Sequence, residues 1–137
     1  MRRYRLLLPL VLLAGCASPA SPAPAQVSCQ PYGYSPAPIA FSYPAGPTTA
    51  ASAEQTAVAM IRSCAATPDE SSITVAITDL TSIVSSGTGE RAGPNAGQAV
   101  WLVQIDTTED AGGSPYPAHY WVEVNKSTGV PTLVAYG

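Results

Sequence analysis

The sequence predicts an α+β fold in which one N-terminal helix packs on a roughly four-stranded antiparallel sheet, a meander preceded by a disordered Pro/Ala/Ser tether. Three observations support this prediction. A helical stripe of apolar residues runs through residues 48–66, segments of strand type follow from residue 73, and proline, alanine and serine dominate the residues before the helix. We therefore expect one small folded domain at residues 48–137.

The first 15 residues have the composition of a signal peptide. Arg2, Arg3 and Arg5 precede an apolar run of nine residues at positions 6–14. A transmembrane helix needs about 20 apolar residues, so this run is too short for a permanent span. We expect residues 1–15 to be a leader that directs export.

The leader ends in Leu13-Ala14-Gly15-Cys16, which resembles the lipobox of bacterial lipoproteins. The resemblance implies cleavage before Cys16 and attachment of lipid to that cysteine. Two acyl chains hold a protein on a membrane where one is marginal. The resemblance therefore implies an exported protein that is lipid-anchored to the cell membrane or outer membrane and faces outside the cytoplasm. The alternative is an ordinary secretory signal whose cleavage site happens to precede a cysteine.

The charge of the chain after the leader excludes one class of partner. Residues 16–137 carry three basic and nine acidic side chains, which gives a net charge of −6. A chain this acidic, without a basic cluster, lacks the electrostatic footprint for binding nucleic acid phosphates. We expect no nucleic acid partner.

Residues 16–47 combine the lipidated cysteine with a proline-rich segment. Residues 17–26 predict a tether, whereas residues 27–47 also contain tyrosine, phenylalanine and isoleucine, so part of that stretch is expected to pack on the domain. Cys29 and Cys64 are the two cysteines besides Cys16. In an exported chain they predict one disulfide.

The predicted helix covers residues 48–66. The sequence Ser-Ala-Glu-Gln at 52–55 offers a capping box, and Thr67-Pro68 predicts the end of the helix because a residue before proline avoids the α region. The residues of the apolar stripe are Ala53, Ala57, Met60, Ile61 and Cys64.

Four strands are predicted after the helix. Ile73, Val75 and Ile77 alternate with polar or small residues, and the parity changes at Leu80, which predicts a bend or bulge near Asp79. Residues 86–98 predict a long glycine-rich loop. Residues 99–106 and 118–125 predict a hairpin with a loop at 107–117, and residues 130–136 predict the last strand.

The sequence YWVEVNKSTGV at residues 120–130 resembles the end of the PepSY domain of exported bacterial proteins, with Asn125 at the position of the family's frequent aspartate. The resemblance covers residues 48–137. Members of that family occur in the propeptides of secreted metalloproteases, as inhibitors or chaperones, and in envelope proteins of unknown role, so the resemblance implies a protein-binding or inhibitory α+β module. Asn and Gly tolerate the positive φ angles of tight reversals, which gives the turn a structural cause.

Simple registers predict a candidate partner-binding face that contains Trp101, His119, Trp121 and Glu123. Residues 32–43, a protein partner or a second copy of the chain could cover this face. A slip of one residue would exchange the two faces of the sheet.

Catalysis and metal binding have little support in the sequence, so we expect no enzyme activity and no cofactor. His119 is the only histidine, and Asp106, Glu109 and Asp110 match no calcium loop. The prediction is a module that binds an envelope or secreted protein, as a protease inhibitor or a chaperone-like module. The alternatives are a passive structural or surface lipoprotein, or a carrier of a small apolar ligand.

Overall fold

A computed structural model describes residues 25–31, 34–35, 37–64, 72–81, 95–110 and 112–137. The leader, Cys16, Thr67-Pro68 and the first nine residues of the predicted loop at 86–98 lie outside these ranges. No helix among the described residues is long and apolar enough to cross a membrane. Within these ranges the elements are β1 (Ala25–Ser28), β2 (Pro38–Phe41), α1 (Ala50–Cys64), β3 (Thr74–Thr81), β4 (Ala99–Asp110), β5 (Pro115–Asn125) and β6 (Pro131–Tyr136).

The predicted fold class is wrong in the place that it gives to the helix. β1 and β2 precede α1 and form a second, two-stranded antiparallel sheet, so the helix is not N-terminal. The larger sheet is an antiparallel meander of four strands in the order β3-β4-β5-β6. β1 and β2 have four residues each, too few to show an alternating pattern in a proline-rich stretch. Pro38 is the first residue of its strand, where a missing N–H is tolerated.

α1 begins one turn before the predicted capping box. The Thr49 hydroxyl accepts a hydrogen bond from the Ser52 N–H at 3.2 Å, and the Ser52 hydroxyl accepts one from the Thr49 N–H at 2.9 Å. These reciprocal bonds satisfy two donors at the helix start, as a capping box does. The buried face of α1 contains four members of the predicted stripe, namely Ala53, Ala57, Met60 and Ile61.

The predicted disulfide between Cys29 and Cys64 is confirmed, with the two Cα atoms 5.3 Å apart. Cys29 directly follows β1, and Cys64 is the last residue of α1. The bond therefore ties the smaller sheet to the helix. Val27 and Phe41 of that sheet are buried in the same core as α1 and the larger sheet. The smaller sheet thus contributes to the domain core. Ala25 and Gln26, predicted as the end of the tether, belong to β1, and the rest of the predicted tether at 17–24 lies outside the described residues.

β3 pairs with β4 without interruption from Thr74 to Thr81, so the bend or bulge expected near Asp79 is absent from this strand. Val75 and Ile77 pair with Ile105 and Val103 on the face that meets α1. Leu80 pairs with Val100 on the opposite face. The change of parity in the sequence therefore reflects partial burial on both faces of a regular strand.

The β4–β5 hairpin is longer than predicted, because residues 107–110 and 115–117 belong to the strands. The N–H of His119 bonds to the carbonyl of Gly137 on the β6 side, at 2.7 Å. Pro115 and Pro117 have the same parity as His119, so their nitrogens also point away from β4, beyond the end of β6. Here proline costs no ladder hydrogen bond, and its presence does not mark a loop.

The β5–β6 turn packs against residues 44–48, a segment that we call the strap. The Gly46 N–H bonds to the Thr128 carbonyl at 3.0 Å, and the Thr48 N–H bonds to the Lys126 carbonyl at 2.9 Å. Gly129 has a φ of +75°, which confirms the positive φ expected for glycine in this turn. Asn125 has no positive φ and acts through its side chain, whose Oδ1 accepts from the N–H groups of Ser127 and Thr128.

Candidate functional site

The register of the β4–β5 hairpin separates the two tryptophans. Trp101 pairs with Val124, and Trp121 pairs with Gln104. Side chains of directly opposed residues lie on the same face of a sheet. Trp101 therefore lies on the face that packs on α1, called here the helix face, and Trp121 lies on the opposite, outer face.

Consequently the predicted face of Trp101, His119, Trp121 and Glu123 is not assembled as expected. His119, Trp121 and Glu123 share the outer face because they have one parity along β5, but Trp101 faces the other way. The hairpin register differs by one residue from the simple one assumed, and such a slip exchanges the faces of a whole strand.

Trp101 is held by structural contacts. Its indole N–H donates to the Thr48 carbonyl of the strap at 3.3 Å, and the Lys126 ammonium lies 4.1 Å from its ring centroid. Lys126 also pairs with Asp79 of the neighbouring strand β3. Trp101 thus links the helix face, the strap and the β5–β6 turn.

His119 and Asp106 form a pair on the outer face. His119 Nδ1 lies 2.8 Å from Asp106 Oδ1, and the Gln104 amide donates to both Asp106 oxygens at 3.2 and 3.3 Å. The hydrogen bond with His119, followed by that from Gln104, lowers the pKa of the Asp106 carboxyl. The His119 and Asp106 side chains are 44% and 40% exposed, so the pair is accessible to a partner.

Trp121 lies next to this pair. Its ring centroid is 6.2 Å from that of His119, with the planes tilted by 40°. Trp121 is half-buried. An indole beside an exposed imidazole and carboxylate offers apolar area, hydrogen-bond donors and a negative charge within one small area.

Glu123, the fourth predicted site residue, is buried and belongs to a polar network at the other end of the outer face. It is 2% exposed and accepts a hydrogen bond from the Asn95 amide at 3.4 Å. The Asn125 amide donates to Asn95 Oδ1 at 3.1 Å and to Gln98 Oε1 at 2.5 Å. This network fastens the turn at residues 95–98 to β5, so Glu123 does not face a partner.

The three acidic residues near the hairpin do not gather, because the strand alternation divides them. Asp106 and Asp110 have the parity of the outer face, and Glu109 has that of the helix face. Glu109 is 7% exposed, although the sequence places it in the predicted hairpin loop at 107–117. Glu109 continues the alternating positions of Val103 and Ile105 along β4. This alternation is the sequence signal that would have predicted its burial on the helix face.

The neighbours of His119 and Asp106 determine which chemistry the outer face could support. His119 and Asp106 have the separation of the base and orienting acid of a hydrolase. In the register, Gln104 and Ala135 flank Trp121, and Ala76 and Thr74 lie opposite Gln104 and Asp106. Thr74 is the single hydroxyl among these four neighbours and lies on the Asp106 side of the pair. Among the described residues, no three His, Cys, Asp or Glu side chains are grouped to hold a metal ion.

The fold and the site together define an α+β domain with a disulfide-tied smaller sheet and a partly exposed patch of aromatic and acidic side chains. The chain matches no protein-family model, no curated protein and no solved structure. The geometry of the described residues and the motifs in the sequence therefore carry the functional argument.

Proposed function

We propose that this chain is an exported lipoprotein whose domain binds another protein through the outer-face patch of Asp106, His119 and Trp121. The lipobox-like sequence before Cys16 supports export and anchoring, and the PepSY-like sequence of the last hairpin supports a role as an inhibitor or chaperone-like module of an envelope or secreted protein. The bound partner would then meet this domain at a membrane, outside the cytoplasm.

The single observation that carries the proposal is the placement of Trp121. In the described part of the chain, α1, Val27 and Phe41 pack on the helix face, which leaves Trp121 half-buried beside exposed His119 and Asp106 on the other face. Tryptophan is the residue type that most often anchors protein interfaces, because it buries a large area at a small entropic cost. The patch has the composition of an interface centre with a polar rim.

The charge of the domain indicates the character of the partner. Residues 16–137 carry a net charge of −6, and Asp106 contributes an exposed carboxylate to the patch itself. Complementary potentials accelerate association and suppress wrong partners. The partner surface is therefore expected to be basic, and its affinity should fall as salt is raised.

Affinity capture from a crosslinked native envelope tests this function directly. The full chain is expressed with its leader and an affinity tag at the C-terminus, and retained proteins are identified by mass spectrometry. We expect a partner that is retained by the wild type and lost with Trp121→Ala. The matched control is Tyr34→Ala, which removes an aromatic side chain that is 71% exposed and lies outside the sheet.

Folding and anchoring are measured in the same samples. Thermal unfolding shows whether Trp121→Ala remains folded, and labelling with an alkyne fatty acid shows whether lipid attachment requires Cys16. Recovery of the bait alone, or a partner retained equally by wild type and Trp121→Ala, would contradict binding through this patch. Recovery of the bait alone would favour a passive surface lipoprotein.

A further inference from the structure

Glu109 forms the centre of a second polar cluster, on the helix face at the hairpin end of β4. Its Oε2 accepts a hydrogen bond from the Tyr116 hydroxyl at 2.6 Å, and its Oε1 accepts one from the Tyr120 hydroxyl. Tyr116 is the cross-strand partner of Glu109. The cluster lies on the opposite face of the sheet from the patch around Trp121, so the two can be tested separately.

The carboxylate of Glu109 has no counter-ion in the described part of the chain. Its hydrogen bonds come from two phenols, and neither lysine nor arginine pairs with it there. Burial of a carboxylate is costly unless a cation or a full set of donors compensates it. Two donors fill only about half of the roughly four acceptor positions on its oxygens.

The Glu109 carboxylate shifts the pKa of both phenols that donate to it. The hydrogen bond to Glu109 raises the pKa of Tyr116 well above its ordinary value. Burial, followed by the bond to Glu109, raises the pKa of Tyr120 in the same direction. Both hydroxyls therefore remain donors to the Glu109 carboxylate.

Aromatic rings connect the buried carboxylate with the protein surface. Tyr116 is 37% exposed and Tyr136 is 49% exposed, and the Tyr136 ring centroid is 4.9 Å from that of Tyr120. Tyr136 reaches this face because β6 contains one extra residue, Val134, between the partners of Val122 and Trp121. Without this bulge, Tyr136 would have the parity of Trp121 and lie on the outer face.

We propose that Glu109, Tyr116 and Tyr136 form a binding site for an organic cation, an ammonium or guanidinium group. A buried carboxylate supplies the charge, and exposed tyrosine rings supply the faces that attract cations. The cation is either a basic side chain of another protein or a free amine, since the recognising chemistry is the same. One carboxylate offers too few oxygens for a calcium or magnesium site.

A titration of the full chain followed by NMR of the Tyr116 and Tyr136 rings tests the site. The probes are the peptide acetyl-Gly-Arg-Gly-amide, the same peptide with neutral citrulline in place of arginine, and spermidine. We expect saturable ring shifts with the arginine peptide or with spermidine and none with citrulline. Stronger binding of the peptide would identify a protein side chain as the source, and stronger binding of spermidine a free amine.

Variants decide whether Glu109 carries the charge. Glu109→Gln is expected to weaken binding at least tenfold, and Glu54→Gln, which changes an exposed glutamate of α1, should bind as the wild type does. Tyr136→Leu changes an exposed ring at the site and supplies a second test if Glu109→Gln does not fold. Equal shifts with citrulline, unsaturable shifts, or unchanged binding by folded Glu109→Gln or Tyr136→Leu would overturn the proposal.

Discussion

Substitution of Gly129 by alanine is expected to be the most damaging single change in the β5–β6 turn. Gly129 has a φ of +75°, which an L side chain adopts at a cost of about 1–2 kcal/mol. The added Cβ would also lie 2.5 Å from the Pro44 carbonyl oxygen and 3.2 Å from that of Gly46. Both obstacles are backbone atoms of the strap, so the strap itself has to move.

Movement of the strap puts its own bonds at risk. Gly46 and Thr48 each donate a backbone hydrogen bond to the turn, and Trp101 donates to the Thr48 carbonyl. A backbone hydrogen bond contributes about 1 kcal/mol net to stability. Loss of two such bonds, added to the backbone strain, predicts that Gly129→Ala lowers the free energy of unfolding by about 3–4 kcal/mol.

The matched control is Gly112→Ala. Gly112 has a φ of +69°, close to that of Gly129, but an added Cβ would meet nothing within 4 Å. Gly112→Ala should therefore lower the free energy of unfolding only by the backbone strain, about 1–2 kcal/mol. Equilibrium urea unfolding, followed by tryptophan fluorescence, measures both losses. If the two alanine variants lose the same stability, close packing of the turn on the strap does not contribute, and the reasoning is refuted.

Three further changes test other contacts. Asn125→Asp should lower the free energy of unfolding by about 2 kcal/mol, measured in urea, because a carboxylate cannot donate to Asn95 as the amide does. Cys29→Ser and Cys64→Ser should each cost about 3–4 kcal/mol, and the double variant no more, since both remove one bond. The pKa of Asp106 is lowered in the folded chain, so its stabilisation is present above the unfolded pKa and is lost as pH falls through the folded value. The free energy of unfolding, measured from about pH 5 to pH 2, should therefore decrease less in Asp106→Asn than in the wild type. The difference should be small because the Asp106 side chain is 40% exposed. An identical dependence on pH in the two proteins would contradict this prediction.

The helix and the meander could be predicted because their signals are local. Four buried residues of α1 recur at three- and four-residue spacing, and β-branched residues alternate along β3. The disulfide was predicted from a count of cysteines, because with Cys16 expected to carry lipid only Cys29 and Cys64 are left to pair. Each of these inferences needs only neighbouring residues or a count, and no knowledge of how strands are aligned.

The candidate site could be predicted only in part, because strand register decides which side chains share a face of the sheet. Residues 107–117 contain prolines and glycines that suggested a loop, but the strands continue to Asp110 and resume at Pro115. The four residues between them set the pairing of Gln104 with Trp121, and this pairing decides which tryptophan faces outward. The bulge at Val134 reverses the parity again for Tyr136. No local pattern specifies either event.

The separation of the tryptophans changes how binding experiments on them are interpreted. Trp101 joins the strap, Lys126 and the helix face, so Trp101→Ala removes a hydrogen bond, a cation–π contact and core packing at once. Loss of a partner in that variant would reflect destabilisation of the domain, regardless of where the partner binds. Trp121 has its ring beside His119 on the outer face, so its removal alters a surface without opening the core. A partner lost with Trp121→Ala in a variant that unfolds like the wild type is therefore the result that distinguishes recognition from stability.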